Sequence, residues 1–419
     1  MVLKHLKNLL YLFLSKALSS FFAFIAQILI ARLLTQEDYG TIAFYIILIN
    51  IISSIIGFGL GNFWLWKFAI ERNNVRRWIK ATVNTILLLS IVSVPLYILI
   101  PYFTLGSYSL YISVTLLPLL LYQGFESVVI ASFQMRNEYT KLSYYMMVKN
   151  SILLISSLIL FIFEFQSFIL SYGLLSVALL LYSLTIVGKL NKKLKVERFE
   201  KNAYSEKITI KKVFTSAWPF GAQGILYMLY YQVGIVIITI LLGTTSTGFY
   251  NASFTIISFV FVFSSILFQI YLLPRSNIWI ARKDFNKVTF LRNKVTFLFF
   301  LIGIFITVIF YYIGEFLITL LYGKAFLDSV LLFKVLILAI PFRFISDSLG
   351  VLFTSKKMML YKVYVQGGGA LVNIILNLIF ISQVGVIGAA LSTVLTEVIV
   401  VILLYLFSGR LEKEMRKRV

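Results

Sequence analysis

Long apolar runs separated by short polar gaps dominate the sequence. Each run has roughly 19 to 25 predominantly apolar residues, enough to cross about 30 Å of hydrocarbon at 1.5 Å per residue. The runs lie near 9–33, 41–63, 81–101, 110–131, 144–163, 168–187, 218–242, 254–273, 295–313, 329–353, 363–381 and 386–407. The pattern predicts an all-α integral membrane protein with about twelve transmembrane helices.

The longest polar stretch divides the runs into two groups of six. It covers 188–217 and carries nine basic and three acidic residues, so we interpret it as a cytoplasmic linker. This interpretation gives an N-terminal six-helix lobe at 1–187 and a C-terminal six-helix lobe at 218–407. A basic tail follows at 408–419.

A weak internal echo supports two related halves. Leu33-Leu34, five residues and Gly40 are repeated as Leu241-Leu242, five residues and Gly248, at an offset of 208 residues. Because each half has an even number of helices, both halves would enter from the same membrane face. The repeats are therefore predicted to be parallel, an arrangement that places a substrate path between lobes.

The positive charges occupy alternate gaps. Of the 38 Lys and Arg residues, 32 fall in the N-terminus, the tail and every second gap, whereas the opposite gaps hold only Lys324, with Arg32 at a border. This asymmetry predicts that both termini are cytoplasmic. The net charge of +22 is then expected to face anionic lipid headgroups, and nucleic acid is excluded as a partner.

Composition excludes several other classes. The hydrophobic fraction is 60%, only 13% of residues are charged, and the mean hydropathy is +0.95, which excludes a soluble globule. There is no cysteine, His5 is the only histidine, and no phosphate-binding G-x-x-x-x-G-K-[ST] loop occurs. We therefore expect no metal site, no cofactor and no enzymatic activity. The glycine run 367–369 lies in an apolar helix and is interpreted as a packing or flexing point.

Seven ionisable residues fall at membrane depth. A charge at a helix centre costs about 2.5 to 3.5 kcal/mol on insertion scales, so such residues should face a watery cavity or one another. They are Lys16, Glu126, Lys149, Lys334, Arg343, Asp347 and Glu397. Lys149, Glu126 and Lys334 could instead reach the headgroups. The basic residues are candidates for substrate binding, and the acidic ones for coupling or ion pairing.

The tenth predicted helix, at 329–353, contains three of these ionisable residues and a proline. Arg343 and Asp347 are spaced i, i+4 and can pair on one helical face, either as a structural ion pair or in a binding cavity. Pro341 breaks the helical hydrogen-bond ladder nearby, and Pro118 does the same in helix four. Each proline is a candidate gate or a static kink. With Arg32 added, the intramembrane charge is modestly positive, which suits an anionic head group.

Residues 31–40 resemble a family motif. Their sequence, ARLLTQEDYG, resembles the end of the first helix in the Wzx-type polysaccharide flippases of the multidrug/oligosaccharidyl-lipid/polysaccharide exporter superfamily. The family pattern is roughly A-R-x-L-G-P-E-x-[YF]-G, and this chain has Thr35-Gln36 where Gly-Pro is usual. Looser matches follow in order at 218–220, 273–276, 321–326, 373–377 and 385–390.

The resemblance implies two six-helix lobes around a central cavity. It also implies that undecaprenyl-diphosphate-linked oligosaccharide, an O-antigen or capsule repeat unit, moves from the cytoplasmic to the outer leaflet by alternating access. Expected partners are this substrate, membrane lipids and a glycan polymerase. Two alternatives stay open: a cation-coupled multidrug exporter of the same superfamily, and a membrane glycosyltransferase or glycan polymerase, against which the short outer gaps argue.

Overall fold

The structure is a computed structural model that describes residues 2–71, 75, 77–193, 208–282, 284–353 and 356–416. Regular structure in these ranges is helical, and none of their residues lies in a strand. The middle of the predicted linker, 194–207, and the last residues of the predicted tail, 417–419, lie outside the described residues.

Fifteen α-helices are described within these ranges. In chain order they are α1 (Val2–Leu33), α2 (Gln36–Gly57), α3 (Leu60–Glu71), α4 (Ile79–Leu105), α5 (Ser109–Met135), α6 (Tyr139–Ile159), α7 (Phe165–Lys193), α8 (Ile210–Ile266), α9 (Leu273–Ala281), α10 (Phe285–Phe290), α11 (Thr296–Tyr322), α12 (Ser329–Leu336), α13 (Ala339–Gly350), α14 (Lys356–Val384) and α15 (Val386–Arg416). Short π-helical segments (Leu267–Leu272 and Leu291–Val295) and a 3-10 turn (Lys324–Phe326) join some of them.

The described helices account for the predicted membrane spans. Ten segments are long and apolar enough to cross a membrane. One of them, α8, consists of two helices joined at Gly243, whose φ of 83° is readily adopted by glycine. The pair α12 and α13, bent by 41°, forms a further span. Every predicted run thus corresponds to a helical segment, and the prediction of an all-α protein with about twelve transmembrane helices is confirmed.

The chain forms two compact units. The first unit contains Met1–Ser15 and Tyr45–Met228, and the second contains Lys16–Phe44 and Leu229–Val419. The boundaries fall inside α1, α2 and α8, so each of these helices contributes to both units. The lobe boundaries inferred from the polar linker stay a prediction.

Small residues bring the helices of the first unit together. A Cβ added at Gly61 of α3 would collide with the backbone of Ser127 on α5, and one at Gly173 of α7 would collide with the backbone of Thr115 on α5. Helix association in lipid depends on such close packing, because the surrounding hydrocarbon is as apolar as the side chains. Glycine is therefore needed at both positions to keep α3 and α7 against α5.

The two echo segments of the sequence pack on each other inside the second unit. A Cβ at Gly40 would collide with the carbonyl oxygen of Thr244, and a Cβ at Gly248 would collide with the carbonyl oxygen of Gln36. Gln36 and Thr244 are separated by the same 208 positions as the two glycines. The contact is therefore reciprocal, as at a twofold axis. The two echo segments therefore meet backbone to backbone.

Replacing Gly40 or Gly248 by alanine should weaken the second unit. Each added methyl group has no room beside the opposing backbone, and overpacking of this kind costs about 1 to 3 kcal/mol. The measurement is unfolding of the detergent- or bicelle-embedded protein by increasing dodecyl sulfate. Gly224→Ala is the matched control, because nothing lies within 4 Å of its added Cβ in α8. Equal stability of all three variants would contradict this account of the repeat contact.

Candidate functional site

A buried ion pair links α13 to α15 in the second unit. Arg343 Nη1 donates to Glu397 Oε1 at 3.3 Å. Only 6% of Arg343 and 2% of Glu397 are exposed. Two opposite charges removed from solvent in this way must compensate one another.

The Glu397 carboxylate receives further hydrogen bonds from two neighbouring helices. The Tyr230 hydroxyl of α8 donates to Oε1. Ser346 of α13 donates to Oε2 at 3.5 Å. Arg343 Nη1 also donates to the Tyr230 hydroxyl at 3.4 Å. Both carboxylate oxygens are thus hydrogen-bonded, as a buried charge requires.

Aromatic rings surround the Arg343 guanidinium. The rings of Tyr231 and Phe261, both on α8, have centroids 5.2 and 5.4 Å from its central carbon. The Tyr231 hydroxyl donates to Ser258 at 3.1 Å, which fixes the ring. A guanidinium over aromatic faces gains cation–π attraction when it is shielded from water. These contacts hold Arg343 in one position.

Asp347 extends the network by one helical turn. Its Oδ1 lies 3.4 Å from Arg343 Nε, and its Oδ2 accepts a hydrogen bond from Ser264 at 2.9 Å. The predicted i, i+4 pairing with Arg343 is therefore confirmed. Four residues of helix correspond to about 6 Å along the axis. Asp347 is thus nearer than Arg343 to the end of α13.

Two lysines lie within electrostatic range of Asp347. Lys16 of α1 is a predicted site residue, and both it and Lys362 of α14 interact electrostatically with Asp347. Lys362 was not among the predicted site residues, because the predicted eleventh helix began at residue 363. α14 begins seven residues earlier, at Lys356. The only sign in the sequence that this helix starts earlier is the absence of glycine and proline from residues 354–362.

Local packing sets the positions of the helices that carry these groups. Gly369 of α14 lets Tyr230 and Val400 approach, with its added Cβ 2.9 Å from a Val400 methyl group. Asn373 of α14 donates to Thr396 at 3.2 Å, next to Glu397 on α15. The packing interpretation of the glycine run is borne out at Gly369.

The candidate gate prolines have different surroundings. Pro341 lies in the first turn of α13, just after the 41° bend that separates α12 from α13. A proline is tolerated there because the first turn leaves backbone N–H groups without helical partners. Pro118 lies inside α5, which continues as a helix from Ser109 to Met135.

A second ion pair lies in the first unit. Lys149 Nζ of α6 is 3.4 Å from Glu126 Oε2 of α5, and about a quarter of each side chain is exposed. Gln123, one turn before Glu126, accepts a hydrogen bond from Ser53 at 3.2 Å. Two predicted site residues are thus paired with each other, outside the network around Arg343.

The two other predicted basic residues have structural partners. Arg32 donates to the carbonyl oxygens of Leu320 and, at 2.7 Å, Leu321, at the C-terminal end of α11. A cation at this end of a helix satisfies free carbonyls and the helix dipole. The Lys334 ammonium lies 5.2 Å from the centroid of the Tyr311 ring. Neither residue is joined to the Arg343 network.

The network in the second unit has an excess of positive charge. Its cations are Lys16, Arg343 and Lys362, and its carboxylates are Asp347 and Glu397, so the balance is +1 when all are ionised. Such a group of cations, partly shielded from water, can bind an anionic ligand. Within the described residues, no group of three or more His, Cys, Asp or Glu side chains could hold a metal ion.

The sequence matches a family of known proteins. The family described as "Polysaccharide biosynthesis protein" matches residues 5–277, well over half of the sequence. No curated protein matches the sequence. The family match confirms the resemblance to polysaccharide flippases drawn from residues 31–40, and it also covers the segments at 218–220 and 273–276.

Solved structures share the fold at low sequence identity. The lipid II flippase MurJ in an inward closed conformation has a TM-score of 0.72 and 16% identity, covering 95% of this chain and 87% of that one. An inward-facing multidrug resistance MATE family transporter of the MOP superfamily has a TM-score of 0.68 and 10% identity, covering 95% and 96%. A MOP superfamily transporter from Pyrococcus furiosus has a TM-score of 0.58 and 11% identity, covering 98% and 96%. These likenesses establish that the chain shares the helical fold of these structures.

Removing one member of the buried ion pair should destabilise the protein more than removing both. Arg343→Met leaves the Glu397 carboxylate buried without its cation, and such a change costs about 3 to 5 kcal/mol. Arg343→Met combined with Glu397→Leu should recover most of that loss. Unfolding of the single and double variants in bicelles measures the difference. If the double variant is as unstable as the sum of the single variants, the two residues are not coupled.

Proposed function

Because this chain belongs to the polysaccharide biosynthesis protein family, we propose that it is a transporter that flips a lipid-linked oligosaccharide. The substrate is an undecaprenyl-diphosphate-linked repeat unit of O-antigen or capsule, moved by alternating access from the cytoplasmic to the outer leaflet. The protein then resides in the bacterial inner or plasma membrane with both termini cytoplasmic, and a glycan polymerase consumes its product.

The cationic network of the second unit is the observation that carries this proposal. The diphosphate group carries the permanent negative charge of such a substrate. Lys16, Arg343 and Lys362 supply positive charge at membrane depth. Ammonium and guanidinium groups bind phosphate oxygens through charge-assisted hydrogen bonds. Because Arg343 is held by Glu397 and aromatic rings, the two lysines make the first contacts with the head group.

The paired carboxylates are the proposed sites at which transport is coupled to an energy source. Glu126 in the first unit and Glu397 in the second are each held beside a cation, and Glu397 also accepts hydrogen bonds from two hydroxyl groups. Binding of a proton or a cation at such a carboxylate would release its partner. A change in charge at either pair would thus bias the protein between its two access states.

The multidrug exporter alternative is disfavoured by the sign of the charge. A cationic drug would be repelled by a site that holds three basic residues against two carboxylates. The two functions predict different effects when the gene is deleted from cells. Loss of surface glycan on deletion supports the flippase, whereas increased drug susceptibility with intact surface glycan would support the exporter.

Lys16→Ala and Lys362→Ala should each slow translocation at least tenfold. Each change removes one positive charge from the head-group site, and one charge-assisted hydrogen bond contributes about 1.5 to 3 kcal/mol. The assay follows a fluorescent undecaprenyl-diphosphate oligosaccharide in proteoliposomes that contain equal amounts of folded protein. Lys324→Ala is the control, since Lys324 is exposed and lies outside the network. Wild-type rates in both lysine variants would contradict the proposed site.

A further inference from the structure

We propose that Asp347 is an internal substitute for the anionic head group of the substrate. Its carboxylate holds the cations of the second unit while the site is empty, and a phosphate group of the arriving substrate displaces it. This inference rests on the proposed function and adds a means of releasing the substrate.

The surroundings of Asp347 match those of a bound phosphate oxygen. Arg343 Nε lies 3.4 Å from one carboxylate oxygen, and Ser264 donates to the other at 2.9 Å. Lys16 and Lys362 add positive potential from α1 and α14. Guanidinium and ammonium groups are cations with which proteins bind phosphate. In this structure the guanidinium lies beside a carboxylate instead, and the two lysines interact with that carboxylate electrostatically.

The two carboxylates of the network differ in how firmly they are held. The Glu397 side chain is 3% exposed and is bound by groups from α8 and α13. The Asp347 side chain is 15% exposed, and the Arg343 guanidinium that it contacts lies on its own helix. A change in side-chain rotamer that moves Asp347 away breaks one hydrogen bond between helices, that from Ser264 of α8, whereas Glu397 would lose an ion pair and two hydrogen bonds. Asp347 is therefore the exchangeable anion.

The order of the groups along the helices favours the same assignment. Asp347 is about 6 Å nearer than Arg343 to the end of α13. Lys362 lies six residues, about 9 Å, from the start of α14, which follows α13 after a short connection. Asp347 is about 4.5 Å from the end of α13 and Arg343 about 10.5 Å, so an anion that approaches from this end meets Asp347 first.

Competition by an internal carboxylate would weaken binding and hasten release. The substrate must displace Asp347, so part of its attraction to the cations is offset. On departure of the substrate, Asp347 returns to the same cations, which lowers the barrier to release. A transporter gains turnover from weaker binding of this kind, because tight binding of the loaded state would hold it there.

Binding of inorganic pyrophosphate to the purified full-length protein tests the inference directly. In Asp347→Asn the competing charge is gone while the shape is kept, so isothermal titration calorimetry should show at least tenfold tighter binding than in the wild type. Glu315→Gln is the matched control, because it removes one negative charge from an exposed position on α11 and should leave the affinity unchanged. Unchanged or weaker binding in Asp347→Asn, or no binding in either protein, would overturn the inference.

A second variant keeps every charge in place. Ser264→Ala removes the hydroxyl group that helps to hold Asp347, so displacement becomes easier and pyrophosphate should bind about threefold more tightly. This variant tests the inference even if Asp347→Asn does not fold. Weaker binding in Ser264→Ala would count against the inference.

Translocation by the same proteins separates this inference from the proposed function. Asp347→Asn should show a lower maximal rate together with half-saturation at a lower substrate concentration. If the wild type translocates the lipid-linked oligosaccharide but Asp347→Asn keeps wild-type affinity and rate, only the inference fails. If Asp347→Asn binds pyrophosphate more tightly but the wild type translocates nothing, the proposed function fails and the role of Asp347 as a competing anion stands.

Discussion

Compensation of buried charge is the constraint on which the second unit depends. An isolated charge at membrane depth is costly, and Arg343 and Glu397 avoid that cost only by lying within 3.3 Å of each other on different helices. Tyr230 and Ser346 complete the arrangement, so α8, α13 and α15 must keep their relative positions for the charges to remain satisfied. Packed apolar side chains would stabilise the same helices as well or better. Stability alone therefore does not account for these buried charges.

Hydrogen bonds and close backbone contacts share the task of holding helices together in lipid. Gly40 and Gly248 let the two echo segments meet backbone to backbone, and Gly369 lets α14 approach Tyr230. Arg32 ties the end of α1 to the free carbonyl groups of α11. None of these contacts depends on the hydrophobic effect. Between helices in a bilayer that effect gives no driving force, because the surrounding lipid is as apolar as the side chains. Glycine and polar residues are accordingly the specific determinants of this fold.

The sequence predicts the membrane spans well because hydrocarbon thickness fixes their length and composition. It also predicts the pairing of Arg343 with Asp347, since residues four apart share a helix face. The contact of Arg343 with Glu397 joins residues 54 positions apart, and hydropathy does not indicate which faces of two helices will meet. Lys362 was missed because its helix begins before the apolar run does. Arg32 and Lys334 could not be distinguished from binding residues, because their partners are a helix terminus and an aromatic ring.

Unequal burial gives two similar carboxylates different roles. The attraction between unit charges a few ångströms apart grows as water is excluded, so the Arg343–Glu397 pair behaves as one neutral element of the fold. With that pair cancelled, Lys16 and Lys362 face the single negative charge of Asp347. The exchangeable part of the network therefore carries the whole positive excess, and it lies nearest the ends of α13 and α14. A diphosphate brings more negative charge than one carboxylate, so it can displace Asp347, whereas a neutral or cationic ligand gains nothing by doing so. Selectivity for an anionic head group then follows from the arrangement of charges alone.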